Sequence, residues 1–457
     1  MPRPKVCKLW KGMVINMDNE KHSLHIGSLI TGILFLLIIM TYFIGLLANS
    51  PNMIKDIKKS VNKALSVNID QDTEEEDIIN ENIEQKSSSS TTSISAKLGS
   101  VFSKTESVIN DSIPGRLSLI DWNGLAQRIL QKRMIPESND NNTVYKMDNG
   151  QLTYTYPDIG VRIAHKNFTV LNKYLKSVGT KLLYVQAPYK VNRDKNELPY
   201  GLEDYPNKNA DKLLEGLNKL NIDYIDFREV FANNFLNYPS LFFNTDHHWT
   251  TETAFFAYQY MLDYMEKNYG FQYNKQTYNK ANYNQVTLKQ SFIGSLANRV
   301  GKWYAGIDDF TFIYPNFKTK LTYMKFDANA SLYLVRNGTF EESVFYPERM
   351  ENPDTPLAYR DNCYLGGNPD LGRIINHKVQ KGKILFVQDS YGKPIASFMA
   401  LNFHEVDIID LRYFTESYLM DFIKRETTPY DYVVILYNTS ALKRSTYYRQ
   451  FRFYDYE

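Results

Sequence analysis

The chain has 457 residues, 43% of them hydrophobic, which is enough for one large or two medium folded domains. Its formal net charge of +2 lacks the excess that drives binding to nucleic acid, so we expect no nucleic-acid partner. The two cysteines, Cys7 and Cys363, lie on either side of a long apolar segment, and we expect neither a disulfide nor a cysteine-based metal site.

The first predicted element is a transmembrane helix over residues 26–48, which contain no charged side chain. About 20 helical residues cross the hydrocarbon core of a bilayer, and the segment is too long for the apolar part of a signal peptide. Lysines flank it on both sides, so the numbers of positive charges before and after it are nearly equal and give little indication of its orientation. We predict a cytoplasmic tail over residues 1–25 and a cell-membrane protein whose C-terminal part is extracytoplasmic. A buried core helix is the alternative interpretation.

Residues 49–114 are predicted to form a disordered stalk. Residues 70–86 carry eight acidic side chains against one lysine, and a serine- and threonine-rich stretch follows. Such a composition buries too little apolar surface to offset the entropy lost on ordering. We therefore expect one folded extracytoplasmic domain over residues 115–457. Its lack of disulfides is more typical of a bacterial protein than of a eukaryotic secreted one.

Apolar strands alternate with amphipathic helices in most of this domain. The predicted strands cover residues 181–187, 222–227, 383–388, 405–411 and 432–437. The predicted helices include residues 168–178, 213–220, 250–267 and 413–425, with a further helix around Pro394. This alternation predicts an α/β fold with a parallel sheet and helices on both of its faces. Residues from about 270 to 360 lack this alternation of strands and helices and are predicted to form a β-rich insertion.

The segment Asp246-His247-His248-Trp249-Thr250 places an acid two residues before a histidine. An imidazole that accepts a proton needs a carboxylate to fix its tautomer and to stabilise the imidazolium. The spacing predicts His248 as a general base and Asp246 as the residue that orients it. His247 is interpreted as a structural or substrate-side histidine. A metal site is the alternative, but no third ligand is obvious, so we expect neither a metal nor a cofactor.

The predicted nucleophile is Ser390, which follows the strand at residues 383–388. Ligands of open α/β sheets meet the carboxyl ends of the strands, where Arg412 and Asn438 also follow strand ends. A serine hydroxyl becomes a nucleophile when a base removes its proton, and His248 is that candidate base. Backbone N–H groups near Ser390 and the Asn438 amide are candidate donors to the oxyanion. The wider set of candidate oxyanion or substrate-binding residues comprises Asn438, Arg412, Tyr391, Gly392, His247 and Trp249.

Each of these residues also has a plainer interpretation. Ser390 or Asp389 could cap the following helix. Arg412 could pair with Asp410 or Asp407, and residues 366–368, Gly-Gly-Asn, could form an ordinary turn instead of a substrate loop. The combination of a serine, a histidine and an acid favours a catalytic site over these separate structural roles.

Three segments together resemble a known family: residues 245–250, Thr-Asp-His-His-Trp-Thr; residues 388–392, Gln-Asp-Ser-Tyr-Gly; and residues 409–414, Ile-Asp-Leu-Arg-Tyr-Phe. The chain resembles the DHHW proteins, bacterial membrane-anchored members of the SGNH-hydrolase-like group, and is similar to the alginate O-acetyltransferases. The resemblance spans roughly residues 115–457 and implies an SGNH-like, flavodoxin-like domain.

Ordinary SGNH enzymes place their serine first and a D-x-x-H pair last. Here the order is reversed and the spacing is D-x-H, which is similar to the permuted arrangement of the acetyltransferases. Asn438 is similar in position to the oxyanion asparagine of SGNH enzymes. The glycine expected after the intervening strand is absent, and Arg412 stands near its place. This departure leaves the second oxyanion donor unassigned.

The resemblance implies that Ser390 accepts an acetyl group and passes it to a hydroxyl of a cell-surface or secreted polysaccharide. It also implies a multi-spanning membrane O-acyltransferase as a partner that supplies the acyl group. A carbohydrate acetyl esterase is the first alternative, because it shares the acyl-enzyme and differs only in using water. A non-catalytic polysaccharide-binding or export scaffold is the second.

Overall fold

The computed structural model describes residues 116–136, 143–195, 197–235, 237–351 and 357–455. The predicted cytoplasmic tail, transmembrane helix and stalk, at residues 1–25, 26–48 and 49–114, lie outside these ranges and stay predictions. Among the described residues, no helix combines the length and the apolar character needed to cross a bilayer.

The described residues form an α/β fold. The strands are β1 (Met134–Ile135), β2 (Val144–Lys146), β3 (Leu152–Thr153), β4 (Lys181–Gln186), β5 (Asp223–Asp226), β6 (Tyr283–Ile293), β7 (Asp308–Pro315), β8 (Leu321–Phe326), β9 (Leu332–Gly338), β10 (Leu357–Ala358), β11 (Leu371–Asn376), β12 (Lys383–Gln388), β13 (Glu405–Ile409) and β14 (Tyr432–Tyr437). The helices are α1 (Arg116–Ile129), α2 (Arg162–Ser177), α3 (Tyr205–Lys219), α4 (Phe227–Asn234), α5 (Thr251–Tyr269), α6 (Lys275–Tyr278), α7 (Ala297–Val300), α8 (Lys302–Ala305), α9 (Phe340–Ser343), α10 (Lys393–Met399), α11 (Leu419–Arg425) and α12 (Arg444–Gln450).

The main sheet has eight strands in the order β5-β4-β14-β12-β13-β11-β8-β9. The first five are parallel to one another, as predicted. The sheet as a whole is mixed and not parallel throughout as predicted, because three further strands, β11, β8 and β9, pair antiparallel with their neighbours. Parallel neighbours need a long crossover, usually a helix, whereas antiparallel ones need only a short turn. Residues 327–331 provide such a turn between β8 and β9, so the sheet is mixed.

The five parallel strands have a flavodoxin-like order when they are counted from β12. In that numbering β12, β13 and β14 are strands 1 to 3, and β4 and β5 are strands 4 and 5. The sheet then reads β13-β12-β14-β4-β5, or 2-1-3-4-5. The chain is therefore a circular permutation of this order, in which the last two strands come first. The permutation explains why the candidate acid and base precede the candidate serine in the sequence.

The central strands are buried on both faces, which is why they are continuous apolar runs. Along β4, Leu183 and Val185 face a core shared with α4, α5 and α10. Leu182 and Tyr184 alternate with them and face a second core, which contains α2, α3, α11 and α12. The predicted helix from about residue 413 begins later, at Leu419.

The segment with the predicted β-rich insertion contains β6 to β10. Two of these strands, β8 and β9, extend the main sheet, whereas β10, β6 and β7 form a separate sheet in that order. The Phe310 ring on β7 stacks on Phe243 with 5.4 Å between centroids, and Phe292 on β6 lies 4.8 Å from Phe243. The second sheet thus packs directly on the loop that carries Asp246 and His248.

Candidate active site

The loop before α5 is a tight turn whose ends are tied together. Phe242 and Trp249 form an antiparallel bridge, and the backbone N–H of Thr250 donates to the Leu241 carbonyl at 2.9 Å. The Thr250 side chain then caps α5 by accepting a hydrogen bond from the backbone N–H of Thr253. These bonds hold residues 244–248 at the tip of the turn.

Asp246 and His248 are joined by a short hydrogen bond between Oδ1 and Nδ1, at 2.5 Å. The same oxygen accepts the backbone N–H of His248 at 2.8 Å, and Oδ2 accepts the backbone N–H of Ser295 at 2.5 Å. Burial alone would raise the pKa of Asp246. The nearby His248 and His247 charges and these hydrogen bonds outweigh it and hold the pKa well below its usual range. Asp246 is therefore a buried carboxylate in contact with an imidazole.

Ser390 lies in the turn that follows β12, and its hydroxyl is free of the capping role considered above. Asp389 takes that role: one carboxylate oxygen accepts the backbone N–H of Tyr391 at 3.0 Å, and the other accepts that of Asn438 at 2.8 Å. Burial raises the pKa of Asp389, with the Arg412 charge acting against it. Ser390 Oγ lies 2.6 Å from His248 Nε2.

The three side chains form one continuous relay, although 142 positions separate Ser390 from His248. Because one imidazole nitrogen faces the carboxylate, the other is available to accept the serine proton. The arrangement can therefore generate a serine alkoxide and stabilise the imidazolium that results.

His247 lies outside this relay but beside it, with its ring centroid 4.0 Å from that of His248. Its Nδ1 lies 3.1 Å from Ser295 Oγ, and its carbonyl accepts the Tyr391 hydroxyl. Burial, followed by repulsion from the His248 charge, lowers the pKa of His247 to about 3. His247 is therefore neutral at physiological pH and lies as a polar neighbour beside His248.

The metal interpretation has a geometric basis, since ligand atoms of Asp246, His247 and His248 lie within 4.8 Å of one another. Asp246 and His248 Nδ1 are nevertheless bonded to each other, and His248 Nε2 is bonded to Ser390. These ligand atoms are engaged in the relay.

The Trp249 and Tyr391 side chains pack against each other next to the His248 ring. The Trp249 indole is buried, lies 5.3 Å from the Tyr391 ring, and its Nε1 has no acceptor among the described residues. The Tyr391 ring centroid lies 4.9 Å from that of His248. A Cβ on Gly392 would lie 2.1 Å from Oε1 and 2.8 Å from Cβ of Gln388, so a larger residue there would force Gln388 to move. These residues support the site from below.

Asn438 and Arg412 are both held by other groups. The Asn438 Oδ1 accepts the Tyr154 hydroxyl at 2.6 Å and the backbone N–H of Ser440 at 2.8 Å, and its Nδ2 donates to the Pro188 carbonyl at 3.1 Å. Arg412 forms a two-pronged ion pair with Asp410, with Nη2 at 2.5 Å from Oδ2. Arg412 also lines a surface cavity of about 1160 Å³ that does not include Ser390 or His248.

A small cavity of about 30 Å³ adjoins Ser390 and His248. Its walls are mostly apolar, and one side holds an ion pair between Lys393 Nζ and Asp361 Oδ2 at 2.5 Å. The other lining residues are Phe243, Trp249, Thr250, Thr251, Ala254, Phe310, Tyr364 and Pro394.

Sequence reasoning missed Ser295, Lys190 and Tyr154, which contact Asp246, the loop and Asn438 respectively. None of them belongs to a short motif with a known chemical role. The one local signal is Gly294 before Ser295, because the loop backbone approaches Gly294 so closely that a Cβ would lie 2.4 Å from Asp246 Cβ.

Comparisons with known proteins concern the family and the fold. Residues 159–306 match the family model for the SGNH hydrolase-like domain of acetyltransferase AlgX, a stretch that includes Asp246 and His248. The fold is similar to that of Bacillus cereus PatB1 with a sulfonyl adduct (20% identity, TM-score 0.55, covering 70% of this chain and 100% of that one). It is also similar to a DHHW family protein from Eubacterium siraeum (18% identity, TM-score 0.52, covering 71% and 100%). No curated protein matches the sequence significantly. The predicted resemblance to SGNH-hydrolase-like and DHHW proteins is confirmed.

Proposed function

We propose that the chain is an O-acetyltransferase that modifies a cell-surface or secreted polysaccharide through an acyl-enzyme on Ser390. The observation that carries the proposal is the relay from Ser390 Oγ through His248 to Asp246, with contacts of 2.6 and 2.5 Å. A general base has to lie within hydrogen-bond reach of the proton that it removes, about 2.6–3.2 Å. A scaffold that only binds polysaccharide has no use for such a relay, which favours catalysis over that alternative.

In the first half-reaction, Ser390 Oγ attacks the acetyl carbonyl carbon while its proton passes to His248 Nε2. Asp246 stabilises the imidazolium that forms. When the tetrahedral intermediate collapses, the bond to the donor oxygen breaks and His248 returns the proton to that oxygen. In the second half-reaction, a sugar hydroxyl gives its proton to His248 and attacks the acetyl-serine. Collapse of this second intermediate releases the O-acetylated sugar and restores the Ser390 hydroxyl.

The oxyanion needs donors near Ser390, and each is commonly worth about 3 kcal/mol of the barrier. The backbone N–H of Tyr391 is bonded to Asp389, so we assign the backbone donor to the N–H of Ser390. An amide NH2 has two hydrogens, and one on Asn438 is bonded to the Pro188 carbonyl. We assign the other N–H of the Asn438 amide to the oxyanion as the second donor.

The cavity beside Ser390 favours a small acyl group. The cavity volume of about 30 Å³ exceeds the roughly 10–15 Å³ that one water molecule needs by only a small factor, so the cavity has room for a group of only a few atoms. A methyl group is of similar size, whereas a longer acyl chain would have to displace the Phe310 or Trp249 ring. The apolar walls suit a methyl group better than a charged or polar one.

The acceptor, the location and the donor are inferred from the sequence and the family match. The matched model describes an acetyltransferase domain, which supports transfer over hydrolysis. The apolar segment at residues 26–48 supports anchoring in the cell membrane with the α/β domain outside. A multi-spanning O-acyltransferase would then bring the acetyl group across that membrane.

The first test is covalent labelling of the full-length protein with a serine-directed sulfonyl fluoride. We expect modification of Ser390 in the wild type, none in Ser390→Ala, and a rate lowered by at least 10²-fold in His248→Ala. Ser240→Ala replaces an exposed serine that has no contact with Ser390, His248 or Asp246 among the hydrogen bonds of the described residues, and this matched control should label normally. Labelling that persists in Ser390→Ala would refute the assignment of the nucleophile.

A second test separates transfer from hydrolysis. The full-length protein is incubated with an activated acetyl ester, with and without oligosaccharides, and both acetate and acetylated sugar are measured. A transferase forms acetylated sugar at the expense of acetate. Release of acetate alone, unchanged by every acceptor, would identify an esterase.

A further inference from the structure

Lys190 is a buried cation beside the active-site loop that the relay itself does not use. Its ammonium group donates to the carbonyl oxygens of Asp246 at 2.6 Å, Leu152 at 2.7 Å and Asn244 at 3.1 Å. An ammonium group has three N–H donors, so these bonds use all of them. Two of the three end on the backbone of the loop that carries the candidate acid.

The Asp308 carboxylate accepts hydrogen bonds from donor groups of the same loop. One carboxylate oxygen accepts the backbone and side-chain N–H of Asn244, both at 3.0 Å. The other accepts the backbone N–H of Thr245 at 2.8 Å and its hydroxyl at 2.6 Å. An ionised carboxylate has about four acceptor positions, and all four are filled. Asp308 is the first residue of β7, so this support comes from the β6–β7 sheet, whereas Lys190 follows β4 of the main sheet.

Both charges are costly to bury. Lys190 is 1% exposed and Asp308 is 6% exposed. Burial lowers the pKa of Lys190 to about 7, although the Asp308 and Asp246 charges act in the opposite direction. Replacing buried charges by apolar side chains often leaves stability unchanged or improves it, so stability alone is a weak reason for this arrangement. A geometric role is a stronger reason, because the hydrogen bonds of Lys190 and Asp308 to residues 244–246 fix the position of the Asp246 backbone.

We propose that Lys190 and Asp308 act as a clamp on residues 244–246 and are positioning residues for acyl transfer. In this view the second sheet contributes to catalysis by holding Asp246 at 2.5 Å from His248. The clamp rests on the proposed function, since it acts on the Asp246–His248–Ser390 relay. It goes beyond that function by assigning a catalytic purpose to two residues that do not touch the reacting atoms.

The test uses two variants of the full-length protein, Lys190→Met and Asp308→Asn, each with a matched control. Asp309→Asn removes the neighbouring carboxylate, which pairs with Lys289 on the surface. Lys208→Met removes a surface ammonium paired with Glu203. We measure kcat and KM separately with a small acetyl ester. A displacement of about 1 Å at a catalytic group can cost about 10²-fold, so we expect kcat to fall by at least tenfold with KM changed less than threefold.

A proton resonance provides a readout that does not require turnover. The proton between His248 Nδ1 and Asp246 should resonate far downfield and be absent from Asp246→Asn. We expect it to shift or disappear in both clamp variants and to stay unchanged in both controls. If the wild type shows this signal but does not turn over the ester, the proposed function is refuted. The resonance in the two clamp variants still tests whether Lys190 and Asp308 position Asp246.

Folded clamp variants with kcat within twofold of their controls and an unchanged resonance would overturn the proposal. If one variant does not fold, the other decides. If neither folds, the two residues serve folding alone and the proposal is also overturned.

Discussion

Gly294→Ala is a sharp test of the candidate site because it adds one methyl group directly against the loop that carries Asp246. That Cβ would lie 2.4 Å from Asp246 Cβ and 2.5 Å from the carbonyl carbon and oxygen of Thr245. Carbon atoms in contact normally lie about 3.5–4.0 Å apart, so one of the two segments has to move by about 1 Å. The obstacles on the Thr245 side are backbone atoms, which a rotamer change cannot clear.

The two segments cannot separate without loss, because three backbone N–H groups of residues 294–297 donate hydrogen bonds to residues 245–246. The backbone N–H of Gly294 donates to Thr245 Oγ1 at 2.9 Å, and that of Ala297 donates to the Thr245 carbonyl at 3.0 Å. The third, from the backbone N–H of Ser295 to Asp246 Oδ2, is 2.5 Å long. A shift of about 1 Å therefore strains the hydrogen bonds of Asp246 itself. We expect a loss of about 1–3 kcal/mol in the free energy of unfolding from overpacking.

The expected loss of activity is larger than this loss of stability would suggest. A displacement of about 1 Å near a catalytic group can lower the rate about 10²-fold. We expect kcat for acetyl ester hydrolysis to fall by about that factor well below the melting temperature, where the variant is folded. Gly160→Ala is the matched control, since a Cβ there meets nothing within 4 Å. A Gly294→Ala variant whose kcat stays within twofold of that of Gly160→Ala would refute the reasoning.

Three further predictions concern side chains around the relay. Asp246→Asn should lower kcat by about 10⁴-fold, because an amide cannot stabilise the imidazolium; a kcat within tenfold of wild type would contradict this role. Burial lowers the pKa of His247 from its usual 6.5 to about 3. Between these two pH values the unfolded chain binds a proton that the folded chain does not, so the free energy of unfolding should fall as the pH drops from about 6.5 to 3. Urea unfolding should show a free energy of unfolding that changes by up to about 1.4 kcal/mol per pH unit in this window, and His247→Gln should flatten this slope. An equal slope in both proteins would exclude His247 as its source. Phe310→Ala enlarges the cavity beside Ser390 and should raise kcat/KM for a butyryl ester relative to an acetyl ester, whereas an unchanged ratio would place the acyl group elsewhere.

Much of the central fold was predictable because its signals are local. Parallel strands with both faces buried are continuous apolar runs, which predicted β4, β12 and β14. The D-x-H spacing and the position of Ser390 after a strand likewise need only a few neighbouring residues. The antiparallel strands β8 and β9 were not predicted as part of the main sheet. Their alternating burial fits any half-exposed strand, and nothing in that pattern states which sheet it joins.

The support of the site was not predictable in the same way. Lys190 binds the loop across 56 positions, and Asp308 binds Thr245 across 63 positions. Neither residue differs in its local sequence from a surface charge. Only the three-dimensional packing of the two sheets shows that both are buried. Which residue caps the serine turn could not be predicted for a different reason. Asp389 and Ser390 are both good cap residues, and only the position of His248, which binds the Ser390 hydroxyl, shows that Asp389 is the cap.

The circular order of the sheet has a consequence for biosynthesis. Strand β4 pairs with β14, so that Gln186 lies opposite Tyr437, and roughly 250 residues of chain separate the two. At about 5–20 residues per second, a ribosome needs on the order of 10–50 seconds to make that stretch. During this time the nascent chain carries β4 with one unpaired edge, the kind of surface that invites aggregation. Strand β14 is thus the one that fills the gap between β4 and β12, and a chain terminated before residue 432 would leave this edge of β4 unpaired.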